Sequence, residues 1–382
     1  MTSKSIHILY TIPCLKLGGT EIQMLSVIKA LPQNYKKTVL VYFNEIDTDI
    51  AKRYKAENCD LQFLNLERKN FSGIFGALRL IKIIRKQFKN SGADIVHIQY
   101  LAPAFQPIVA AWLAGKRIFA TIHASGVVYK WNHKLLVRLA SHLTDKFICV
   151  SKECEKFWFG SAKLFSELTE NDKRKHFTVF NAVDTDHIKK SAVEFKNAVQ
   201  TRFQIPTEKK IIGFVGRLVA LKQVDILVNA FAEVIKNQKD IHLLIVGEGA
   251  EQKKIEKLIE THQISENTIL TGLVSQEEVF ALMNLMYVLV VPSQYEGFGL
   301  TAIEAMTLGK PVIGNNIDGL RDIIVPNKNG MIVNHINSEN LKDAIINILD
   351  NKLYQNLSQN CLTTVNSNFS YTTFRQQMQK IY

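Results

Sequence analysis

No part of this 382-residue sequence stays apolar for the roughly 18 residues that a helix needs to span a bilayer. The N-terminus has no basic region ahead of a long apolar segment, so it does not read as a secretory leader, and residues 1–13 read instead as a buried first strand. Cysteine is sparse. Cys14, Cys59, Cys149, Cys154 and Cys361 are odd in number and include no C-x-x-C pair, which excludes a disulfide framework and points to reduced thiols in a cytoplasmic protein. Short-period repeats and low-complexity tracts are also missing, so solenoid and disordered classes drop out.

What is present is an apolar content of 47%, typical of a globular chain. The chain is long enough for two domains of about 180 residues each. Charge is unevenly spread. Residues 1–200 hold 30 Lys plus Arg against 17 Asp plus Glu, while residues 201–382 hold 17 against 18, so the net +12 resides in the first half. A basic half beside a neutral one points to an anionic partner such as a membrane leaflet or a phosphorylated lipid. No nucleic-acid-binding motif accompanies the charge, so nucleic acid is not expected.

In the first half, apolar runs at 5–10, 37–42, 60–64, 95–98, 117–121 and 146–150 alternate with amphipathic stretches, the pattern of a parallel sheet with crossover helices. The pattern restarts at Ile211 with I-I-G-F-V-G-R-L, a helix over 224–235 and strands at 242–246, 269–271, 287–291, 311–314 and 330–333. The expected organisation is α/β throughout. A Rossmann-like domain covers 1–185, a linker 186–208, a second Rossmann-like domain 209–365, and a closing helix 366–382.

Residues 291–314 read V-P-S-Q-Y-E-G-F-G-L-T-A-I-E-A-M-T-L-G-K-P-V-I-G. A buried strand ends at Pro292 and Ser293, Gly297 and Gly299 make a turn, and helical spacing from Leu300 is closed by Gly309. Such a glycine turn leaves unpaired N–H groups at a helix start, which suits an anion. Glu296 in the turn and Glu304 in the helix add two carboxylates at the carboxyl end of a parallel strand, where open α/β sheets bind ligands. The run S-x-x-E-G-F-G-L-x-x-x-E-A-M-x-x-G-x-P-V-I closely resembles the nucleotide-sugar signature of the retaining glycosyltransferases of family 4, which have the GT-B fold.

That resemblance implies two Rossmann-like domains facing each other across a cleft, with the C-terminal helix crossing back to the first. It implies transfer of a hexose from a nucleoside-diphosphate sugar to a glycan or glycolipid acceptor, with no cofactor and no metal, in assembly of a bacterial surface polysaccharide such as lipopolysaccharide or capsule. Leaving-group charge is then met by fixed cations and amides. By the resemblance Arg217 and Lys222, in G-R-L-V-A-L-K, reach the diphosphate, and Gln223 stands where the family commonly has glycine. Glu296 faces the anomeric carbon, as nucleophile or as positioning group, and Glu304 accepts from ribose hydroxyls. Phe298, Gly299 and Leu300 offer backbone N–H groups, and Leu273 and Val274 flank the base. In the first half, Gly19 of G-G-T-E lies at the donor phosphates while Glu21 holds the loop in shape. His123 of T-I-H-A-S stands against the transferred sugar, and His97 is a weaker candidate. The rival readings are a sugar-nucleotide-binding protein that lost transfer and a GT-B sugar-nucleotide epimerase.

Other signals compete. Asp47-Thr48-Asp49 and Asp184-Thr185-Asp186 match the D-x-D pattern by which a different glycosyltransferase fold holds a metal, but neither follows a buried strand in the needed setting. Gly247-Glu248-Gly249 resembles the start of a dinucleotide fingerprint but has Gln252 where the third glycine belongs. Over 73–90, helical spacing places Leu78, Ile81, Ile84 and Phe88 on one face and Arg79, Lys82, Lys86 and Lys89 on another, a helix that packs by its apolar face or adsorbs to anionic lipid. The basic, aromatic segment 128–138, with Tyr129, Lys130, Trp131, Lys134 and Arg138, is a candidate to receive a lipid-diphosphate acceptor. The enzyme is thus expected in the cytoplasm, peripheral to the inner face of the membrane.

Overall fold

The computed structural model describes residues 6–16, 18–99, 105–123 and 131–382. Their strands form two sheets, one of seven strands and one of six, and every strand pair in both is parallel. By contact the chain divides into two units, Met1–Ala182 with Thr372–Tyr382, and Val183–Tyr371.

The first unit runs β1 (His7–Ile12), α1 (Gly19–Ala30), β2 (Lys36–Phe43), α2 (Thr48–Ala56), β3 (Cys59–Leu66), α3 (Gly73–Asn90), β4 (Ile95–Gln99), α4 (Gln106–Leu113), β5 (Arg117–Ile122), α5 (Trp131–His142), β6 (Lys146–Cys149), α6 (Lys152–Phe159) and β7 (His176–Thr178). Its strand order is β3-β2-β1-β4-β5-β6-β7. Because successive side chains alternate across a strand, the register makes two opposed rows. Leu9, Val96 and Ile118 lie side by side and join one core with Leu80, Ile84 and Phe88 of α3 and Ile108 and Ala111 of α4. Tyr10, His97 and Phe119 form the row on the other face, and the ring of Tyr382 lies over it, 5.3 Å from Phe119 and 6.4 Å from Tyr10 between centroids. The last helix is thus part of the first unit, fastened also by Gln379 Nε2 donating to Ala30 O at 3.1 Å and by Lys146 Nζ donating to Ile381 O.

Two expectations need correction here. In α3 the buried stripe is Gly76, Leu80, Ile84 and Phe88, a strict four-residue step, whereas Leu78 is 58% exposed. Burial of Leu80, Ile84 and Phe88, at roughly 1.5–3 kcal/mol per side chain, sets the roll of the helix and leaves Leu78 outside. β7 was not foreseen as a strand. Its three residues carry little apolar signal and are anchored instead by the buried carboxylate of Glu155, which accepts from His176 Nδ1 (2.7 Å), Thr178 Oγ1 (2.7 Å) and Lys163 N (3.1 Å).

The second unit begins with α7 (Thr185–Glu194) and α8 (Lys196–Arg202), so the stretch read as a linker is helical. Then follow β8 (Lys210–Val215), α9 (Val224–Val234), β9 (Ile241–Val246), α10 (Gln252–Thr261), β10 (Thr268–Leu270), α11 (Gln276–Leu285), β11 (Val288–Val291), α12 (Leu300–Thr307), β12 (Val312–Asn315), α13 (Asp318–Arg321), β13 (Gly330–Val333), α14 (Ser338–Ile348), α15 (Asn351–Asn368) and α16 (Tyr371–Ile381), whose body belongs to the first unit. α7 and α8 pack on α11, with His187 edge-on to Phe280 and Arg202 paired with Glu278 at 2.7 Å. The strand order is β10-β9-β8-β11-β12-β13. In both sheets, therefore, the chain starts in the middle, winds outward one way, then reverses. The reversal falls between β1 and β4 in one unit and between β8 and β11 in the other, the kind of switch point at whose carboxyl ends open α/β sheets bind ligands.

Candidate functional site

In the second unit the loops after β8 and β11 leave the sheet side by side, because those two strands are neighbours. Gln294 N donates to Leu221 O at 2.8 Å and ties one loop to the other. This juxtaposition brings Lys222 onto Glu296: the ammonium is ion-paired with carboxylate Oε1, to which Ser293 Oγ also donates at 2.7 Å. Both partners are mostly enclosed, with side chains 22% and 13% exposed. Ser293 itself is fully buried, and its carbonyl accepts from Asn315 Nδ2 at 3.0 Å, so the carboxylate is held from below by a fixed network. Arg217 stands at the end of β8 with its guanidinium exposed and with no hydrogen bond or ion pair among the described residues.

α12 starts at Gly299, which takes φ 88° and ψ 48°; an added Cβ would lie 2.7 Å from Leu320 Cδ2, so both the backbone and the space call for glycine. Phe298 turns its ring inward, edge-on to Phe369 at 6.0 Å, and can meet a ligand only through its backbone. The N–H groups of Leu300 and Thr301 precede any helical acceptor and are available at the helix start. One turn further on, half-buried Glu304 has no hydrogen-bond partner among the described residues, and burial pushes its carboxyl up to about 7.

On the other side of β8 the loops are stitched by backbone bonds: Gly216 N to Val246 O (3.0 Å), Leu218 N to Glu248 O (2.9 Å) and Gly247 N to Gly272 O (3.0 Å). A Cβ on Gly247 would lie 2.1 Å from Gly216 O and one on Gly249 2.3 Å from Leu218 O. The G-E-G motif is therefore explained by close loop packing. Beyond it, Leu273 is 70% exposed and Val274 half-buried. Read across the strand order, this edge presents Leu273 and Val274 after β10, Arg217 and Lys222 after β8, and Glu296, Leu300 and Glu304 after β11.

The first unit has its own carboxyl edge. Gly19 opens α1, is exposed, and an added Cβ there would meet nothing within 4 Å, so the fold itself makes no demand for glycine. Glu21, two residues on, is buried; burial raises its carboxyl above the ordinary range while the backbone amides of Glu21 and Lys16 oppose the shift. His123 follows directly on β5, and its Nε2 shares a hydrogen bond with the Gln99 side chain at 2.7 Å. Desolvation pushes this imidazole down to about 3, so it is neutral at physiological pH. His97 has a different fate. It is wholly buried, takes part in hydrogen bonds with Tyr382 OH through Nδ1 and with Thr121 Oγ1 through Nε2 (2.7 Å), and is pushed down to about 3 by burial and then by His123. It fastens the last helix rather than lining the edge.

Some partners escaped sequence reasoning. Ser293 was within reach as the first residue of S-x-x-E, and Gln99 lies two residues past His97, on the same strand face as its neighbour His123. Tyr382 carried no signal. Both D-x-D motifs turn out to be helix caps: Asp47 accepts from Asp49 N (2.8 Å) and Ile50 N (3.2 Å), and Asp184 from His187 N (3.0 Å). In the basic segment, residues 128–130 lie outside the described ones. Lys134 sits 4.9 Å over the Phe157 ring and Arg138 Nε donates to Trp158 O at 2.8 Å, so both are engaged with α6. All five cysteines are unpaired thiols, and no helix among the described residues is long and apolar enough to cross a membrane.

The family model for glycosyl transferases group 1 matches residues 196–362, and that for Glycosyltransferase Family 4 matches residues 17–159. An uncharacterized glycosyltransferase of Methanocaldococcus jannaschii is 30% identical over 299 residues, 76% of each chain. The alpha-D-kanosaminyltransferase of Streptomyces kanamyceticus is 24% identical over 295 residues, 74% of each. Among solved structures, a glycosyltransferase from Rickettsia africae superposes with a TM-score of 0.79 at 22% identity, over 99% of this chain and 98% of that one. An Anabaena protein solved with UDP and glucose gives 0.77 at 16%, over 98% and 99%.

Proposed function

The chain is a glycosyltransferase of the GT-B fold belonging to group 1 and family 4, and from that premise we propose that it moves a hexose from a nucleoside-diphosphate sugar to a glycan or glycolipid, with retention of configuration. The observation that carries the donor half of this reading is the pairing of Lys222 with Glu296, together with the open start of α12 and an Arg217 whose side chain has no partner among the described residues. Transfer breaks the bond between the anomeric carbon and the diphosphate, which leaves with the electron pair, while the acceptor hydroxyl loses its proton. Charge growing on the leaving diphosphate falls to Arg217, Lys222 and the amides at Phe298, Gly299 and Leu300, aimed in advance and so needing little reorganisation. Glu296, fixed by Lys222 and Ser293, faces the anomeric carbon. Glu304 takes the ribose hydroxyls, Leu273 and Val274 flank the base, and Gly19 leaves room for phosphate. Neutral His123 acts as a hydrogen-bonding group to the sugar. That UDP and UDP-glucose are bound by the Anabaena protein supports a uridine donor.

The acceptor half rests on α3. Ile74, Phe75 and Leu78 project 79%, 88% and 58% exposed from its first turns, followed by exposed Arg79, Lys82, Lys86 and Lys89. Apolar wedge and basic flank together fit adsorption to an anionic leaflet, where a glycolipid acceptor of surface-polysaccharide assembly would be met on the cytoplasmic side. The test is a product assay with a panel of nucleotide sugars, with and without membrane glycolipid extract. A glycosylated lipid that forms only with both substrates, is lost in Glu296→Gln and persists under a metal chelator is the expected result. Turnover of the donor alone to an epimer, or full activity in Glu296→Gln, would overturn the reading.

A further inference from the structure

A cavity of about 550 Å³ opens in the second unit over the carboxyl ends of β12 and β13, on the far side of β11 from the Leu273 loop. Its volume is within the range of small-ligand pockets, roughly 300–1,000 Å³. The lining is unusual in kind, for six of its ten residues are carboxamides: Gln223, Gln294, Asn315, Asn316, Asn334 and Asn337. No acidic side chain lines it. Its single arginine, Arg321, is already taken up by Asn316 Oδ1 at 2.6 Å and by Asp318 Oδ1 at 3.2 Å.

Several of these amides are fixed by the protein and others are left over. Asn315 Nδ2 donates to Ser293 O, and Asn316 Nδ2 donates to Asn334 Oδ1 at 2.6 Å, which leaves Asn334 Nδ2 without a partner among the described residues. The side chain of Gln294 is likewise without one, and Gln223 Oε1 is buried with no hydrogen-bond partner. Gln223 also occupies φ 49° and ψ 40°, the left-handed conformation that glycine adopts freely, and places a side chain at the cavity wall in spite of it. A buried, unpaired amide oxygen is costly unless something bonds to it.

Carboxamides both donate and accept, as vicinal hydroxyls do, Ile317 and Ile336 offer an apolar wall for the C–H face of a ring, and the one cation of the lining, Arg321, is already paired with Asp318. We propose that this cavity is a carbohydrate subsite, separate from the nucleotide, that holds one or two neutral sugar units with Gln223 and Asn334 as hydrogen-bonding residues. That those units belong to a glycan acceptor or product rests on the transfer reading above; sugar binding itself does not.

The experiment is saturation-transfer NMR on the full chain with methyl α-glucoside, N-acetylglucosamine, maltose and chitobiose, each titrated with and without saturating UDP. At least one sugar binds in both conditions, and a disaccharide binding more tightly than its monosaccharide identifies a glycan, the reverse order a free sugar. Gln223→Gly relieves the backbone and removes the amide, and Asn334→Leu fills the cavity from an exposed position. Each weakens binding about five- to tenfold, the share of one neutral hydrogen bond, with melting temperature unchanged or raised. Absence of binding by every sugar, displacement by UDP, or unchanged affinity in both variants overturns the subsite. Sugar binding that survives in a protein with no transferase activity would sink the transfer reading and leave the subsite standing.

Discussion

Glu304 gives the sharpest test, because its half-buried carboxylate has no hydrogen-bond partner among the described residues. Raising the carboxyl from its ordinary 4.5 to about 7 means that ionising it inside the fold costs of the order of 3 kcal/mol, at about 1.4 kcal/mol per tenfold change in proton affinity. The sign follows from linkage: the folded state holds this proton more tightly than the unfolded chain, so stability is greatest below pH 4.5, declines as pH rises, and has lost the full amount above pH 7. Glu304→Gln mimics the protonated group and should remove the loss. The variant is expected to be more stable than the native chain by about 1 kcal/mol at pH 5, about 2 at pH 6 and about 3 at pH 8. In a domain of this size roughly 2–4 °C accompanies each kcal/mol, so thermal or denaturant unfolding over that pH range resolves it. UDP should narrow the gap at pH 8 by donating ribose hydroxyls to the native carboxylate. A variant that is no more stable at pH 8, or whose gain is the same at pH 5, refutes the reasoning that Glu304 is an unpartnered acid kept for a ligand.

Arg217→Ala should leave unfolding within about 0.5 kcal/mol, because the side chain is exposed and has no partner among the described residues, yet weaken UDP binding tenfold or more by about the worth of a charge-assisted hydrogen bond; calorimetry showing unchanged affinity would remove it from the site. Tyr382→Phe takes the hydroxyl from buried His97 and should destabilise the first unit by about 1–3 kcal/mol, read by hydrogen exchange in β4 and β5. Phe75→Ser with Leu78→Ser should leave the melting temperature unaltered and abolish sedimentation with anionic vesicles, which in the native chain should also fall off as salt shortens the screening length below about 10 Å. Vesicle binding that is indifferent to both changes would make α3 a packed helix and nothing more.

The strands were legible because parallel strands buried on both faces are near-continuous apolar runs, and the placing of Arg217, Glu296 and His123 at a carboxyl edge was legible because each follows closely on such a run. The misses share a cause. Leu78 and Leu80 are indistinguishable by period, and only the sheet beneath α3 decides which is buried. β7 is specified by a carboxylate twenty-one residues upstream of His176, and the grip of Tyr382 on His97 spans 285 positions. Such long-range polar contacts leave no periodic trace. The D-x-D and G-E-G patterns show the converse, since short motifs were matched by a cap and by close loop packing, both ordinary structural needs.

Net charge does not track the proposed donor site of this chain. The basic excess lies in residues 1–200, yet among the described residues the carboxyl edge of that unit presents an exposed glycine and a neutral histidine, while exposed lysines and arginines lie along α3. The second half is neutral in sum, and still gathers Arg217, Lys222 and a helix start at the reversal between β8 and β11. The physical reason is range. A surface excess acts through solvent and is screened within about 10 Å, which suits attraction to an extended charged sheet, whereas a diphosphate is recognised by a few donors fixed at hydrogen-bond distance in a partly dry crevice. The two tasks place different demands on sequence, one on composition and one on topology. The reversal between β8 and β11, which sets Lys222 against Glu296, places the proposed donor site where the charge count does not.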